Sequence, residues 1–193
     1  MSQLPNLEDL GDISGKRVLV RTDFNVPLDD GVIRDDLRIR EAIPTLKYLV
    51  DNGAKVTACT HLGRPKGKFE EKYSLNPVRA RLNEILPGIK LLDNLRFNPG
   101  EELNDPQFIE QLVAGQDMFV NDAFGASHRK HASITGPPQL LPSAAGRLLQ
   151  NEVEILLQVR NKPKRPFVAI LGGSKVSDKL GVIDALVQVV DKL

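Results

Sequence analysis

The chain has 193 residues, 41% of them hydrophobic, enough to bury one α/β core with an appendage. Its 26 lysines and arginines stand against 25 acids, a net charge of +1, which excludes a broad cationic face for nucleic acid or an anionic membrane. A single cysteine, Cys59, excludes an intrachain disulfide framework and, lying in an apolar run, reads as a reduced, buried thiol suited to the cytoplasm. No basic-then-apolar leader and no bilayer-length stretch is read, so neither a targeting signal nor a membrane partner is expected.

In chain order, Arg17–Phe24 (RVLVRTDF) is a β-branched run closed by Asn25-Val26-Pro27, and reads as a buried strand ending in a loop. Residues 37–50 set Leu37, Ala42, Ile43, Leu46, Leu49 and Val50 on one helical face, with Asp35 or Asp36 as cap. Pro44 predicts a kink or a late start there. Lys55–Thr60 is the next strand, left by the basic loop HLGRPKGK, and Asn76-Pro77 opens a helix that stops at Pro87-Gly88. A short strand at Ile89–Leu92, a helix from Asp105-Pro106 to Gly115 and a strand at Met118–Asn121 follow.

The alternation predicts a Rossmann-like parallel sheet with helices on both faces. Residues 1–142 form the first domain on this reading, and 143–160 a long connecting helix. Residues 161–193 begin a second α/β domain with a strand at Phe167–Leu171, a turn at Gly172-Gly173 and an amphipathic helix from Val176 to Leu193.

The strand-to-loop exits carry one kind of polar group: Asp23 and Asn25, then His61 and Arg64, then Arg96, then Arg129, with Arg38 near the start of the first helix. Ligands of open parallel sheets bind outside the carboxyl ends of the strands, and converging guanidiniums suit a small phosphorylated acid. Taken singly, each arginine reads as a solvated surface residue; only their shared position raises the site. No zinc spacing, nucleophile elbow or Walker loop is present, so no protein metal ligand and no covalent mechanism is expected. LGGSKVSDK places glycines, a serine and two lysines at a strand-to-helix junction, where backbone N–H groups favour anions; an ordinary glycine turn remains the other reading.

The stretches VLVRTDFNVPL, DDLRIREAIPTL, THLGRPKG, NLRFNPGEE, VNDAFGASHRKHAS and RPFVAILGGSKVSDKL, in that order, resemble the phosphoglycerate kinase family. The resemblance implies a glycolytic enzyme that transfers a phosphoryl group between 1,3-bisphosphoglycerate and Mg-ADP, giving 3-phosphoglycerate and Mg-ATP, across two Rossmann-like domains. It implies that Asp23, Phe24 and Asn25 meet the substrate near its hydroxyl, that His61, Leu62, Gly63, Arg64, Arg96 and Arg129 surround its phosphate, and that Arg38 reaches the transferring group. Lys175 would act on that group from the other side, and Gly172, Gly173, Ser174 and Lys179 would line the nucleotide. The magnesium would be held through the nucleotide.

Two departures accompany the resemblance. One βα unit is missing between the helix ending near Leu86 and NLRF, and the remaining nucleotide motifs would lie beyond Leu193. Ser174 and Ser177 stand where alanines are usual. The expectations are therefore a triose-phosphate half that needs a completing domain for turnover, with a monomeric full enzyme. The rivals are a non-catalytic binding module and an oligomerising fragment.

Overall fold

The computed structural model describes residues 4–173 and 180–193. The chain divides into two compact units, Met1–Gln150 and Asn151–Leu193.

The first unit is built on five parallel strands: β1 (Arg17–Arg21), β4 (Lys55–Cys59), β5 (Lys90–Leu91), β6 (Met118–Asn121) and β7 (Ser143–Ala145), in the order β5-β4-β1-β6-β7. β1 is central, with Val18 opposite Val56 on one side and Met118 on the other. Successive side chains of a strand point to opposite faces, and the core divides accordingly. Val18, Val20, Val56, Ala58 and Val120 meet helices α1 (Leu37–Asp51) and α2 (Asn76–Ile85). Leu19, Cys59 and Phe119 face the other way, onto Leu95 and onto Leu112 of α4 (Pro106–Val113). Helices cover both faces, as a buried parallel sheet requires.

Helix α1 runs through Pro44 as one element. Pro44 lies on the exposed face, where the carbonyl deprived of its partner can turn to water. At its start the Leu37 N–H donates to Asp35 Oδ1 at 2.8 Å. Asp36, at the cap position, instead gives its carboxylate to Arg40 and Arg81. The segment after β1, which reads as loop in the sequence, holds a hairpin of β2 (Leu28–Asp29) with β3 (Val32–Ile33). Its turn is Asp30-Gly31, both at positive φ (47° and 77°), the Asp-Gly signature of a two-residue hairpin loop.

Short helices α3 (Pro99–Leu103), α5 (Ala132–Thr135) and α6 (Pro137–Leu140) fill the C-terminal side of the sheet. Residues 143–145, expected in the long helix, are instead β7, paired with β6 and tied by the Ala145 N–H to Pro5 O at 2.8 Å. Gly146 separates that strand from α7 (Arg147–Asn161). A three-residue edge strand has no periodicity of its own, so only its pairing identifies it.

In the second unit, Phe167–Leu171 forms no strand beyond one parallel bridge, Val168 with Lys192. Ile170 is 93% exposed there, and among the described residues no strand lies beside the segment for it to ladder with. Helix α8 (Leu180–Val187) ends short of the C-terminus, and the last residues turn back so that Ala169 N–H donates to Lys192 O at 2.9 Å. Ser174, Lys175 and Lys179 lie outside the described residues.

Candidate functional site

Three adjacent central strands, β4, β1 and β6, deliver the polar residues at their carboxyl ends. β1 ends at Arg21, and Thr22–Asn25 follow it. The Thr22 N–H donates to Cys59 O at 2.9 Å and the Phe24 N–H to Thr60 Oγ1 at 2.9 Å, so the exit loop is pinned to the end of β4. Phe24 is fully buried and anchors that loop, leaving Asp23 and Asn25 half-buried beside it. Arg38, in the first turn of α1, donates from Nη1 to Asp23 Oδ2 at 2.6 Å; the Asp23 side chain is 11% exposed and that of Arg38 50%.

The loop after β4 is organised by two asparagines. Asn25 Oδ1 accepts the Gly63 N–H at 2.9 Å. Asn94 Oδ1 accepts the Leu62 N–H at 3.2 Å, and its Nδ2 donates to Leu62 O at 2.7 Å, so one side chain pairs with both backbone groups of Leu62 as a strand would. Gly63 has φ +60°, and a Cβ there would lie 2.3 Å from the Tyr73 ring. Arg64 is exposed. Arg96 is 3% exposed, donates from Nη1 to Gly63 O at 2.7 Å and lies 3.2 Å from Glu102 through Nε. Burial lowers its pKa, opposed by Glu102 and reinforced by Arg129 and Arg21. These contacts set Arg96 against the loop after β4.

Beneath these groups lies a buried network whose members fall within VLVRTDFNVPL, NLRFNPGEE and VNDAFGASHRKHAS but are given no role by them. Arg21 is fully buried on the same sheet face as Leu19 and Cys59. Its Nε donates to Ser133 Oγ at 2.8 Å, its Nη1 to Thr22 O, and its Nη2 lies 3.1 Å from His61 Nδ1. Ser133 Oγ donates in turn to Glu101 Oε1 at 2.7 Å, and the Ser133 N–H to Glu101 Oε2 at 2.9 Å. Glu101 is fully buried, and His131 Nδ1 lies 3.7 Å from it. Burial, then the charges of Arg21, Arg96, His131 and Arg129, push His61 down to about 2, so its imidazole is neutral. His131 is lowered chiefly by burial, with Glu101 opposing. Arg129 therefore belongs electrically with His61, Arg96 and His131.

On the β6 side, Asp122 is fully buried and its Oδ1 accepts the N–H groups of Leu148 (3.0 Å) and Leu149 (3.3 Å), capping the first turn of α7. Burial raises its pKa to about 6 against the opposing bonds from Thr45 and those two amides.

The structure thus gathers Asp23, Asn25, Arg38, His61, Leu62, Gly63 and Arg96 through named contacts, with Phe24 as anchor. A cationic, hydrogen-bond-rich strand-end cluster with one neutral imidazole can bind a small polyanion and needs no metal ligand of its own. Among the described residues no group of three or more His, Cys, Asp or Glu could hold a metal ion. Gly172 and Gly173 are exposed in the second unit. Among the described residues no helix is long and apolar enough to cross a membrane.

A model of the phosphoglycerate kinase family matches residues 7–91 and 87–193. The two matches meet at 87–91, where the sequence reading places the shortened connection. The phosphoglycerate kinase of Dictyoglomus turgidum is 50% identical over 204 residues, covering 93% of this chain and 51% of that protein. That of Moorella thermoacetica is 50% identical over 211 residues, covering 97% and 53%. Among solved structures, the Coxiella burnetii phosphoglycerate kinase superposes with a TM-score of 0.90 at 36% identity, covering 97% of this chain and 53% of its own. The Pyrococcus horikoshii enzyme gives 0.85 at 29% identity. The chain spans about half the length of the curated relatives it matches.

Proposed function

The chain belongs to the phosphoglycerate kinase family, and from that premise we propose that it supplies the 3-phosphoglycerate side of a cytoplasmic glycolytic phosphotransferase, whose nucleotide side needs a completing C-terminal half. The observation that carries this reading is the strand-end cluster in which the Asp23–Arg38 pair, Asn25, His61 and Arg96 are all held by loops of β1 and β4.

In the proposed reaction the bond between phosphorus and the acyl oxygen of 1,3-bisphosphoglycerate breaks, and one forms to the terminal oxygen of ADP. Such transfers need positioning and charge neutralisation on the equatorial oxygens, not a covalent nucleophile. Asp23 accepts a bond from the substrate hydroxyl, Asn25 fixes the Gly63 loop beside it, and His61, Arg64, Arg96 and Arg129 face the phosphate that is not transferred. Arg38 carries charge toward the transferring group, with Lys175 opposite. Gly172, Gly173, Ser174 and Lys179 serve Mg-ATP or Mg-ADP. Magnesium would come with the nucleotide and be held through its phosphates. The completed enzyme acts as a monomer.

Titration of the 193-residue chain with 3-phosphoglycerate, followed by NMR, tests the reading. Shifts centred on Asp23, Arg64 and Arg129 are expected, weakening with added salt as for an exposed multi-arginine site. Unmoved resonances there at millimolar ligand overturn it, and family-level turnover by the chain alone overturns the need for a completing half.

A further inference from the structure

Arg21 is a fully buried cation at the end of the central strand, and the phosphotransfer reading assigns it nothing. An uncompensated guanidinium there would cost several kcal/mol, so its partners define its role. Two of its donors end on acceptors fixed by the fold, Thr22 O and Ser133 Oγ, and Ser133 is itself held by Glu101. The third donor, on Nη2, meets His61 Nδ1 at 3.1 Å.

A guanidinium has no lone pair to offer and only donates, so Nδ1 of His61 has to accept. A neutral imidazole that accepts at Nδ1 carries its proton on Nε2. From this geometry we infer that Arg21, braced by Ser133 and Glu101, is a positioning residue that fixes His61 as the Nε2–H tautomer and so makes it a hydrogen-bond donor to the anion. The proposal rests on the assignment of His61 to the 3-phosphoglycerate site, and it explains why a neutral ring serves there. The opposite tautomer would turn a lone pair toward an anion and repel it. The bracing groups come from α3 and α5, far from β1 in sequence, so three segments hold one proton in place.

The test is long-range ¹⁵N correlation spectroscopy of the ¹⁵N-histidine-labelled 193-residue chain without ligand, then with 3-phosphoglycerate. The wild-type spectrum should show one His61 tautomer, protonated at Nε2, with Nδ1 shifted as an acceptor of a bond from Arg21. In Arg21→Met that bond shift should be lost, and affinity for 3-phosphoglycerate should fall about tenfold, as for one lost hydrogen bond to a charged group. Arg21→Lys, which keeps a donor and the charge beside Ser133 and Glu101, should recover part of both. Protonation at Nδ1 in the wild type overturns the proposal outright, whether or not the variants fold. An Nδ1 signal that Arg21→Met leaves unmoved in a chain with native amide dispersion also overturns it. If the tautomer is as stated but ligand never perturbs Nε2, the 3-phosphoglycerate reading fails and the tautomer lock stands.

Discussion

Arg38 Nη1 donates to Asp23 Oδ2 at 2.6 Å, which joins the first turn of α1 to the loop after β1 in one ion pair. Asp23 holds the guanidinium near the site, yet Arg38 remains half-exposed and free to turn its other donors elsewhere. If those donors act on the transferring group, they matter most in the transition state. In this chain fused to a matching C-terminal half, Arg38→Ala should lower kcat by about 10²–10³ with little change in KM for 3-phosphoglycerate, and Arg64→Ala should do the reverse. Arg38→Lys should rescue only partly, because an ammonium cannot make a forked contact. Steady-state kinetics decide it: an Arg38→Ala enzyme with normal kcat and raised KM removes Arg38 from the transfer step.

Asp122 should give the fold an unusual pH response. Its folded pKa is raised from 3.8 to about 6 by burial, so between about pH 4 and 6 the native state holds a proton that the unfolded chain has released. Stability from this group is greatest at the acid end of that window and falls as pH rises through it. A gap of that size between the folded and unfolded carboxyl is worth about 3 kcal/mol. Asp122→Asn keeps an acceptor for the α7 amides and removes the titration. Relative to wild type, it should gain stability steadily from pH 4 to 7. Denaturant unfolding at several pH values measures this, and a pH-independent difference would refute it. The comparison with wild type is essential, because the lowered carboxyls of Glu8, Asp36 and Asp117 slope the other way.

His61 should not titrate while the protein is folded. Its pKa falls from 6.5 to about 2, so below pH 6.5 the unfolded chain takes up a proton that the native ring refuses, and stability declines with acidification. The imidazole C–H resonances of His61 should stay at neutral positions from pH 8 down to the acid transition. A midpoint near 6 would contradict both the burial and the guanidinium beside it.

Two glycines should separate fold from function. A Cβ at Gly63 would lie 2.3 Å from the buttressing Tyr73 ring, and the backbone there has φ +60°. Gly63→Ala should therefore cost about 2–4 kcal/mol, visible as a lowered Tm. At Gly125 the backbone is ordinary and a Cβ would meet only Asp23 Oδ2, at 2.8 Å. Gly125→Ala should displace that carboxylate, weaken 3-phosphoglycerate binding and leave Tm nearly unchanged. Equal effects of the two on Tm would show that Asp23 is not free to yield.

The sheet and the strand-end residues are legible in the sequence because both are local signals: β-branched runs end in polar loops, and arginines recur at those ends. Arg21 looks like one more strand residue. Its meaning depends on Ser133 and Glu101, which no spacing near Arg21 foretells. Ser143–Ala145 reads as helix because alanine and serine carry no strand signal, and only pairing with β6 reveals the strand. The Asp30-Gly31 turn, by contrast, is readable from its two letters alone, and a plain loop reading overlooks it. The Phe167–Leu171 strand fails for the opposite reason, since its pattern is clear but a strand needs a neighbour.

The grip of Asn94 on Leu62 works as a clasp rather than a seam. A seam of ladder bonds fixes the register of everything stitched along it, so adding or removing chain upstream drags each later residue out of place. A clasp fixes one point and is indifferent to how much slack lies behind it. The chain from α2 is first stitched to β4 by the two-residue strand β5, and beyond it Asn94 takes both backbone groups of Leu62 while Arg96 fastens two residues on to Gly63 O, so slack between α2 and β5 leaves the guanidinium where it is. The rim of this sheet can thus be re-cut without re-tailoring its centre.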